Sequence, residues 1–169
     1  MVIKLSSLLF EEIEGLQIVS LRGCEEDSFE IDLENGDVKD CTDISAELER
    51  MFNASKVRIM SNENPYSALI DADGKVYGGL VVSYDLPDDY DEFEHSSGVV
   101  TFSVVVDPVV RGQRLAEKLI TDLIKNNRRS VIKAQVINPL MEKILINLGF
   151  EKTSDTGSRE GLVYELKPR

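Results

Sequence analysis

The sequence predicts a single α/β domain, and three observations carry that prediction. From residue 66 onward, segments of strand-like period alternate with segments of helical period. Two of the strand segments flank Asp71-Ala72-Asp73-Gly74, a strong hairpin-turn sequence. Across 169 residues there is no internal repeat, low-complexity tract or linker, so one compact core is the economical arrangement.

The first 60 residues are the least legible. Leu5, Leu8, Leu9 and Ile13 stand at helical spacing, with Gly15 as a stop. Leu16 to Leu21 and Ser28 to Leu33 read as strands, the second alternating polar with apolar ahead of an Asn35-Gly36 turn. Thr42 or Asp43 caps a helix whose Ile44, Leu48, Met51 and Phe52 share one face. Tyr66 to Asp71 and Lys75 to Tyr84 form the hairpin strands. Residues 85–94 hold six carboxylates and no basic side chain, so they form an exposed loop. Val99 to Val106 is a β-branched run expected to be a strand buried on both faces, ended by Pro108. Leu115, Leu119, Leu123 and Ile124 share a helical face. Val131 to Ile137 is a strand, Leu140 to Leu148 a helix stopped by Gly149, and Leu162 to Leu166 a closing strand.

Charge is uneven along the chain. Residues 1–97 carry seven Lys/Arg against 23 Asp/Glu, and residues 98–169 carry 12 against eight, giving the net charge of −12. Such acidity argues against a nucleic-acid partner. No apolar run is long enough for a membrane span, and no secretory leader is legible. Cys24 and Cys41 are the only cysteines and His95 the only histidine, so a disulfide framework or a metal site is not expected and a reducing cytoplasm is the default.

The chemistry concentrates at Val104-Val105-Val106-Asp107-Pro108-Val109-Val110-Arg111-Gly112-Gln113-Arg114-Leu115-Ala116. A strand runs into a short loop, and the loop opens a helix. The first amides of that helix have no partner within it, and its dipole favours negative charge. Small residues admit a phosphate, and Arg111 and Arg114 add cations. This is the makeup of a pyrophosphate cradle. The segment resembles the cofactor loop of the GNAT N-acetyltransferase superfamily, Arg/Gln-x-x-Gly-x-Gly/Ala after a strand. Arg111, Gly112, Leu115 and Ala116 match, while Arg114 stands where the family has glycine. Asn138, at the end of the next strand, is followed by a helix and by Gly149-Phe150 eleven and twelve residues on. That spacing resembles the family's later motif, and the resemblance spans residues 66–166.

The resemblance implies a central mixed, mostly antiparallel sheet of six to seven strands, flanked by helices and splayed at its two central strands. It implies acetyl-CoA as acyl donor, with Val104 and Val106 bonding the pantetheine arm through their backbone. Arg111, Gly112, Gln113, Arg114, Leu115 and Ala116 hold the pyrophosphate, and Asn138 bonds the arm. Catalysis is less defined. The family's tyrosine acid falls at Leu145, and its strand glutamate falls in Val100-Thr101-Phe102-Ser103, which holds no carboxylate. Substitutes are Thr101 and Ser103, able to place a water, and the loop groups His95, Glu94 and Asp91. Tyr66 and Tyr84 are possible acids or packing residues. Asp88, Asp89, Asp91 and Glu92 can attract a cationic amine such as a polyamine, an aminoglycoside or a basic peptide, or can simply solvate the loop. The expected function is direct acetyl transfer to such an amine by a monomer or homodimer. The alternative is a catalytically impaired member of the fold that senses CoA or binds a protein.

Overall fold

The computed structural model describes residues 16–24, 26–55, 63–85, 98–110, 114–136, 139–153 and 162–168. Its strands are β1 (Gln17–Ser20), β2 (Glu30–Asp32), β3 (Val38–Asp40), β4 (Asn64–Ile70), β5 (Val76–Asp85), β6 (Val99–Val106), β7 (Val131–Val136), β8 (Glu151–Lys152) and β9 (Leu162–Leu166). The helices among these residues are α1 (Cys41–Ala54), α2 (Leu115–Asn126) and α3 (Pro139–Asn147), and Pro108–Val110 makes a 3-10 turn. Seven strands form one sheet in the order β1-β4-β5-β6-β7-β9-β8, and β2 and β3 pair separately. The pairs β1/β4, β7/β9 and β8/β9 are antiparallel, and β6/β7 is parallel. The mixed, mostly antiparallel sheet with flanking helices is the one expected. The helix expected around Leu5 to Ile13 and the acidic loop lie outside the described residues, apart from Asp85 at the end of β5. Two compact units are distinguishable: Met1–Val81 with Val104–Leu119, and Val82–Ser103 with Ile120–Arg169.

In the first unit, α1 forms because Asp40 caps it. Asp40 is extended (φ −65°, ψ 133°), and its carboxylate accepts from the Thr42 amide at 2.8 Å and the Thr42 hydroxyl at 2.6 Å. The cap is therefore Asp40 rather than Thr42 or Asp43; the last residue of β3, still extended, is the one free to fold its side chain back. Ser28 Oγ also donates to this carboxylate at 3.0 Å. These bonds, the Thr42 hydroxyl's first, hold the Asp40 pKa below its ordinary value. Ile44, Leu48 and Phe52 are fully buried, clustered with Ala68 and Ile70 of β4, Val76 and Val81 of β5, and Val105 of β6. Burial on this scale contributes about 1.5–3 kcal/mol per large apolar side chain.

Cys24 and Cys41 form a disulfide, with Cα atoms 6.0 Å apart and both residues buried. This corrects the expectation of no disulfide. The two stand 17 positions apart in sequence, and the β2–β3 hairpin folds the chain back between them.

β5 approaches β6 closely through a glycine. A Cβ on Gly78 would lie 2.5 Å from the Val105 carbonyl oxygen, and one on Gly79 would lie 2.4 Å from that of Ser67. Only hydrogen fits at these two points.

In the second unit, the β6/β7 ladder runs from Val99↔Val131 to Phe102↔Ala134. The strands themselves extend further, to Val106 and Val136, and Gln135 and Val136 continue to pair with β9. Val100, Phe102, Ile132, Ala134, Tyr164 and Leu166 are buried and alternate along their strands. Phe102 meets Phe150 edge to face, with centroids 6.2 Å apart at 68°. β6 is not buried on both faces as expected. Only Val100, Phe102 and Val105 are fully buried, and their intervening neighbours are half-buried. A β-branched run therefore overstated burial, since strand propensity also satisfies a half-covered face.

α3 ends in a Schellman arrangement. Gly149 has φ 94°, its amide donates to Ile146 O at 3.0 Å, and the Phe150 amide donates to Leu145 O at 3.0 Å. Leu145 and Phe150, both buried, provide its apolar contact.

Candidate functional site

The loop segment singled out by sequence leaves β6 at Val106. Asp107 opens the next turn, its carboxylate accepting from the Val109 amide at 2.9 Å and its carbonyl from Val110 N at 3.1 Å. The Asp107 amide donates to Tyr77 O on β5 at 2.7 Å, which pins the strand exit. A small apolar cluster of Leu69, Tyr77, Val110 and Leu115 lies beneath, with Leu16, Ile18 and Val106 packed against it. Val110 and Leu115 thus anchor both ends of the loop, and the residues between them include Arg111, Gly112 and Gln113. Those three lie outside the described residues. Tyr77 donates from its hydroxyl to Asp71 at 3.2 Å. Burial first, then the bond and charge of Asp71, push its pKa up, so it stays protonated.

Arg114 is the residue on which the loop turns. Its φ is 56°, and it is the only described non-glycine residue with positive φ. The Lys118 amide donates to Arg114 O at 3.1 Å, which makes Arg114 the residue that caps α2. An arginine has no side-chain oxygen to accept from the first-turn amides, unlike the usual capping residues. Arg114 itself is exposed. Helix-start amides, a positive dipole end and an exposed cation suit a diphosphate, so the residues present fit that part of an acyl-CoA. Leu115 is buried and serves as anchor, while Ala116 is half-buried. Val104 and Val106 are half-buried on β6.

The remaining expected residues divide by position. Asn138, Glu94, His95 and the acidic residues Asp88, Asp89, Asp91 and Glu92 lie outside the described residues. Thr101 and Ser103 are half-buried on β6. Leu145 is fully buried in the core, so the family's acid position is an apolar packing position here. Tyr66 is buried with the Arg22 guanidinium 5.3 Å over its ring, a packing role, whereas Tyr84 is 49% exposed.

Sequence reading missed a polar row across the second unit. Thr101 on β6 stands opposite Lys133 on β7, which stands opposite Glu165 on β9. All three are half-buried, and Lys133 Nζ lies 4.0 Å from Glu165 Oε2. Strand alternation placed each on a face, but only the register puts them in one line. On α3, Glu142 accepts a short hydrogen bond from the Tyr164 hydroxyl, and that bond is the main cause of a raised Tyr164 pKa.

No family model and no curated protein matches this sequence. Solved structures do match in shape. NAA60 of Arabidopsis thaliana in complex with acetyl-CoA gives a TM-score of 0.55 at 15% identity, over 72% of this chain and 93% of that one. The putative acetyltransferase yncA of Salmonella typhimurium, with its cofactor acetyl-CoA, gives 0.53 at 19% identity, over 92% of this chain and 95% of that one. The KacTA–DNA complex gives 0.53 at 15% identity, over 89% and 92%. The chain therefore has the fold of the GNAT acetyltransferases. At these identities the likeness speaks for the fold alone.

Proposed function

We propose that the protein is an N-acyltransferase that moves an acetyl group from acetyl-CoA to a primary amine of a cationic acceptor. The observation that carries this is the conformation of Arg114. The backbone takes the left-handed turn at the position where the GNAT motif has glycine, although an arginine occupies it. The left-handed turn at Arg114 is held against a local cost, which supports a conformation that is used.

The first amides of α2 and the Arg114 guanidinium bind the pyrophosphate, together with Arg111, Gly112 and Gln113. The backbone of Val104 and Val106 and the side chain of Asn138 orient the pantetheine arm. Bound acetyl-CoA supplies an activated thioester. The chain's own task is to recruit the ammonium form of the acceptor, take one proton from it and hold the free amine in line. Recruitment falls to Asp88, Asp89, Asp91 and Glu92. Anions favour the ammonium form, so they attract it without deprotonating it.

Calorimetry with acetyl-CoA tests the first step; no binding at millimolar cofactor sinks the proposal. Arg111→Ala weakens binding about tenfold if the guanidinium reaches phosphate. A thiol-release assay with polyamines, aminoglycosides and basic peptides then tests transfer. The buried apolar Leu145, with no carboxylate at Val100 to Ser103, favours a second reading, a CoA-binding module without turnover. Cofactor binding with no thiol release from any amine selects it.

A further inference from the structure

In the first unit, the Cys24–Cys41 disulfide heads a run of contacts that ends at the start of α2. The strands β2 and β3 have three residues each, too few to hold a free hairpin in water. Cys24 and Cys41 flank that hairpin and tie its two ends. Three hydrogen bonds fasten the hairpin to the turn Asp71 to Gly74 between β4 and β5. The Asn35 backbone amide donates to Ala72 O at 3.3 Å, Asn35 Nδ2 to Asp73 Oδ1 at 3.0 Å, and Lys39 Nζ to Gly74 O at 2.9 Å. Leu33 adds an apolar contact, since a Cβ on Gly74 would lie 3.0 Å from its Cδ1. The clasped turn holds Tyr77. One Asp71 carboxylate oxygen accepts the Tyr77 hydroxyl, and the other accepts the Asp73 and Lys75 amides. Tyr77 O accepts the Asp107 amide at 2.7 Å, and the Tyr77 side chain shares a cluster with Val110 and Leu115. Every link therefore lies within one unit.

We infer that the disulfide regulates phosphate binding at the start of α2: its reduction loosens the β2–β3 clasp on the 71–74 turn and, through Tyr77, the loop that opens the helix. This rests on the acyltransferase reading above and names a regulation of the same site. Without the bond the hairpin's ends are free, and the three clasp bonds must offset the ordering entropy alone. The reductant is an uncharged dithiol. One of its thiolates attacks the Cys24 sulfur, a mixed disulfide forms and the Cys41 sulfur leaves. The second thiol displaces Cys24 and closes the reductant's own disulfide. Two electrons and two protons pass from the dithiol to the two cysteines, so the exchange balances. Position sets the direction of attack. Cys24 lines an open cavity of about 460 Å³ with Glu26, Ser28 and, from α1, Thr42, Ser45 and Glu49, whereas Cys41 does not line it. Cys41 is the first residue of α1, where the positive end of the helix dipole favours a departing thiolate. Glu26 and Glu49 repel an anionic thiol, which selects an uncharged one.

The test uses desulfo-coenzyme A, which carries the pyrophosphate and cannot pass an acyl group to a thiol. Its affinity is measured by calorimetry for the oxidised protein, the protein reduced with dithiothreitol, and a double variant Asn35→Ala, Lys39→Met. The temperature is one at which circular dichroism shows each of them folded. Reduction should weaken binding about tenfold. Hydrogen exchange of the Asp107 amide should quicken with it, a readout that needs no ligand. Reoxidation should restore both. The double variant, its disulfide intact, should bind weakly and exchange fast from the start, and reduction should change neither. Equal affinity or unchanged Asp107 exchange on reduction, in protein that merely melts lower, overturns the regulation alone and leaves the bond a structural brace. A full response to reduction in the double variant also overturns it, because the clasp is then not the route. Oxidised protein that binds no desulfo-coenzyme A overturns the acyltransferase reading and the regulation with it.

Discussion

Arg114 holds a backbone conformation that works against stability. A left-handed backbone costs a non-glycine residue about 1–2 kcal/mol, of which glycine's extra unfolded-state freedom offsets about 0.5–1 kcal/mol. Arg114→Gly should therefore raise stability by about 0.5–1 kcal/mol in denaturant unfolding while weakening acetyl-CoA binding in calorimetry. The two readouts move in opposite directions, which separates strain from charge. Asp40 gives a residue-scale prediction in pH. Its folded pKa is depressed, so its stabilisation is present above the unfolded value of 3.8 and is lost as pH falls through the lower folded value. Asp40→Ala should lower the Tm by a few degrees at pH 7, and the difference should shrink as pH falls below 3.8 in thermal melts. Neither feature was legible beforehand. Arginine is a poor candidate for positive φ, and Thr42 and Asp43 are as good caps on paper as Asp40.

At the scale of elements, a strong steric demand lies where β5 meets β6. Gly78→Ala places a methyl 2.5 Å from a backbone oxygen, and backbone cannot step aside as a flexible side chain can. It should cost about 2–3 kcal/mol in chemical denaturation, whereas an alanine at the open turn position Gly36 meets no atom within 4 Å and pays only for its φ of 91°. Elements with strong local signals were readable from sequence. The β4–β5 hairpin followed from Asp71 to Gly74, α3 and its stop from Gly149-Phe150, and α1's buried face from Ile44, Leu48 and Phe52. β8 was not, since two residues carry no periodicity. The Thr101–Lys133–Glu165 row was half-readable: alternation gave the faces, but register is set by long-range pairing that no local pattern encodes. The loop after β6 was recognisable as a motif, while the support of its ends by Tyr77 and Leu69 came from strands about 30 to 45 residues earlier.

For the whole molecule, charge and covalent linkage matter most. Among the described residues no helix is long and apolar enough to cross a membrane. With 23 acidic residues in the first 97, a cationic acceptor should bind in a salt-sensitive way. Raising ionic strength from 0.05 to 0.5 M, about a threefold shortening of the screening length, should raise the acceptor KM with little change in kcat. The Cys24–Cys41 disulfide leaves the cysteine count with no force as a ground for a reducing compartment. Closing a loop of this size contributes about 3 kcal/mol, so a reductant should lower the Tm measurably, and a Cys24→Ser, Cys41→Ser double variant should melt lower and ignore the reductant. The same bond also fences off the β2–β3 hairpin. A protease that cuts anywhere between residues 24 and 41 severs the peptide chain without separating its pieces. Such a nicked protein would run as one intact species on a denaturing gel and fall into two fragments only when thiol is added.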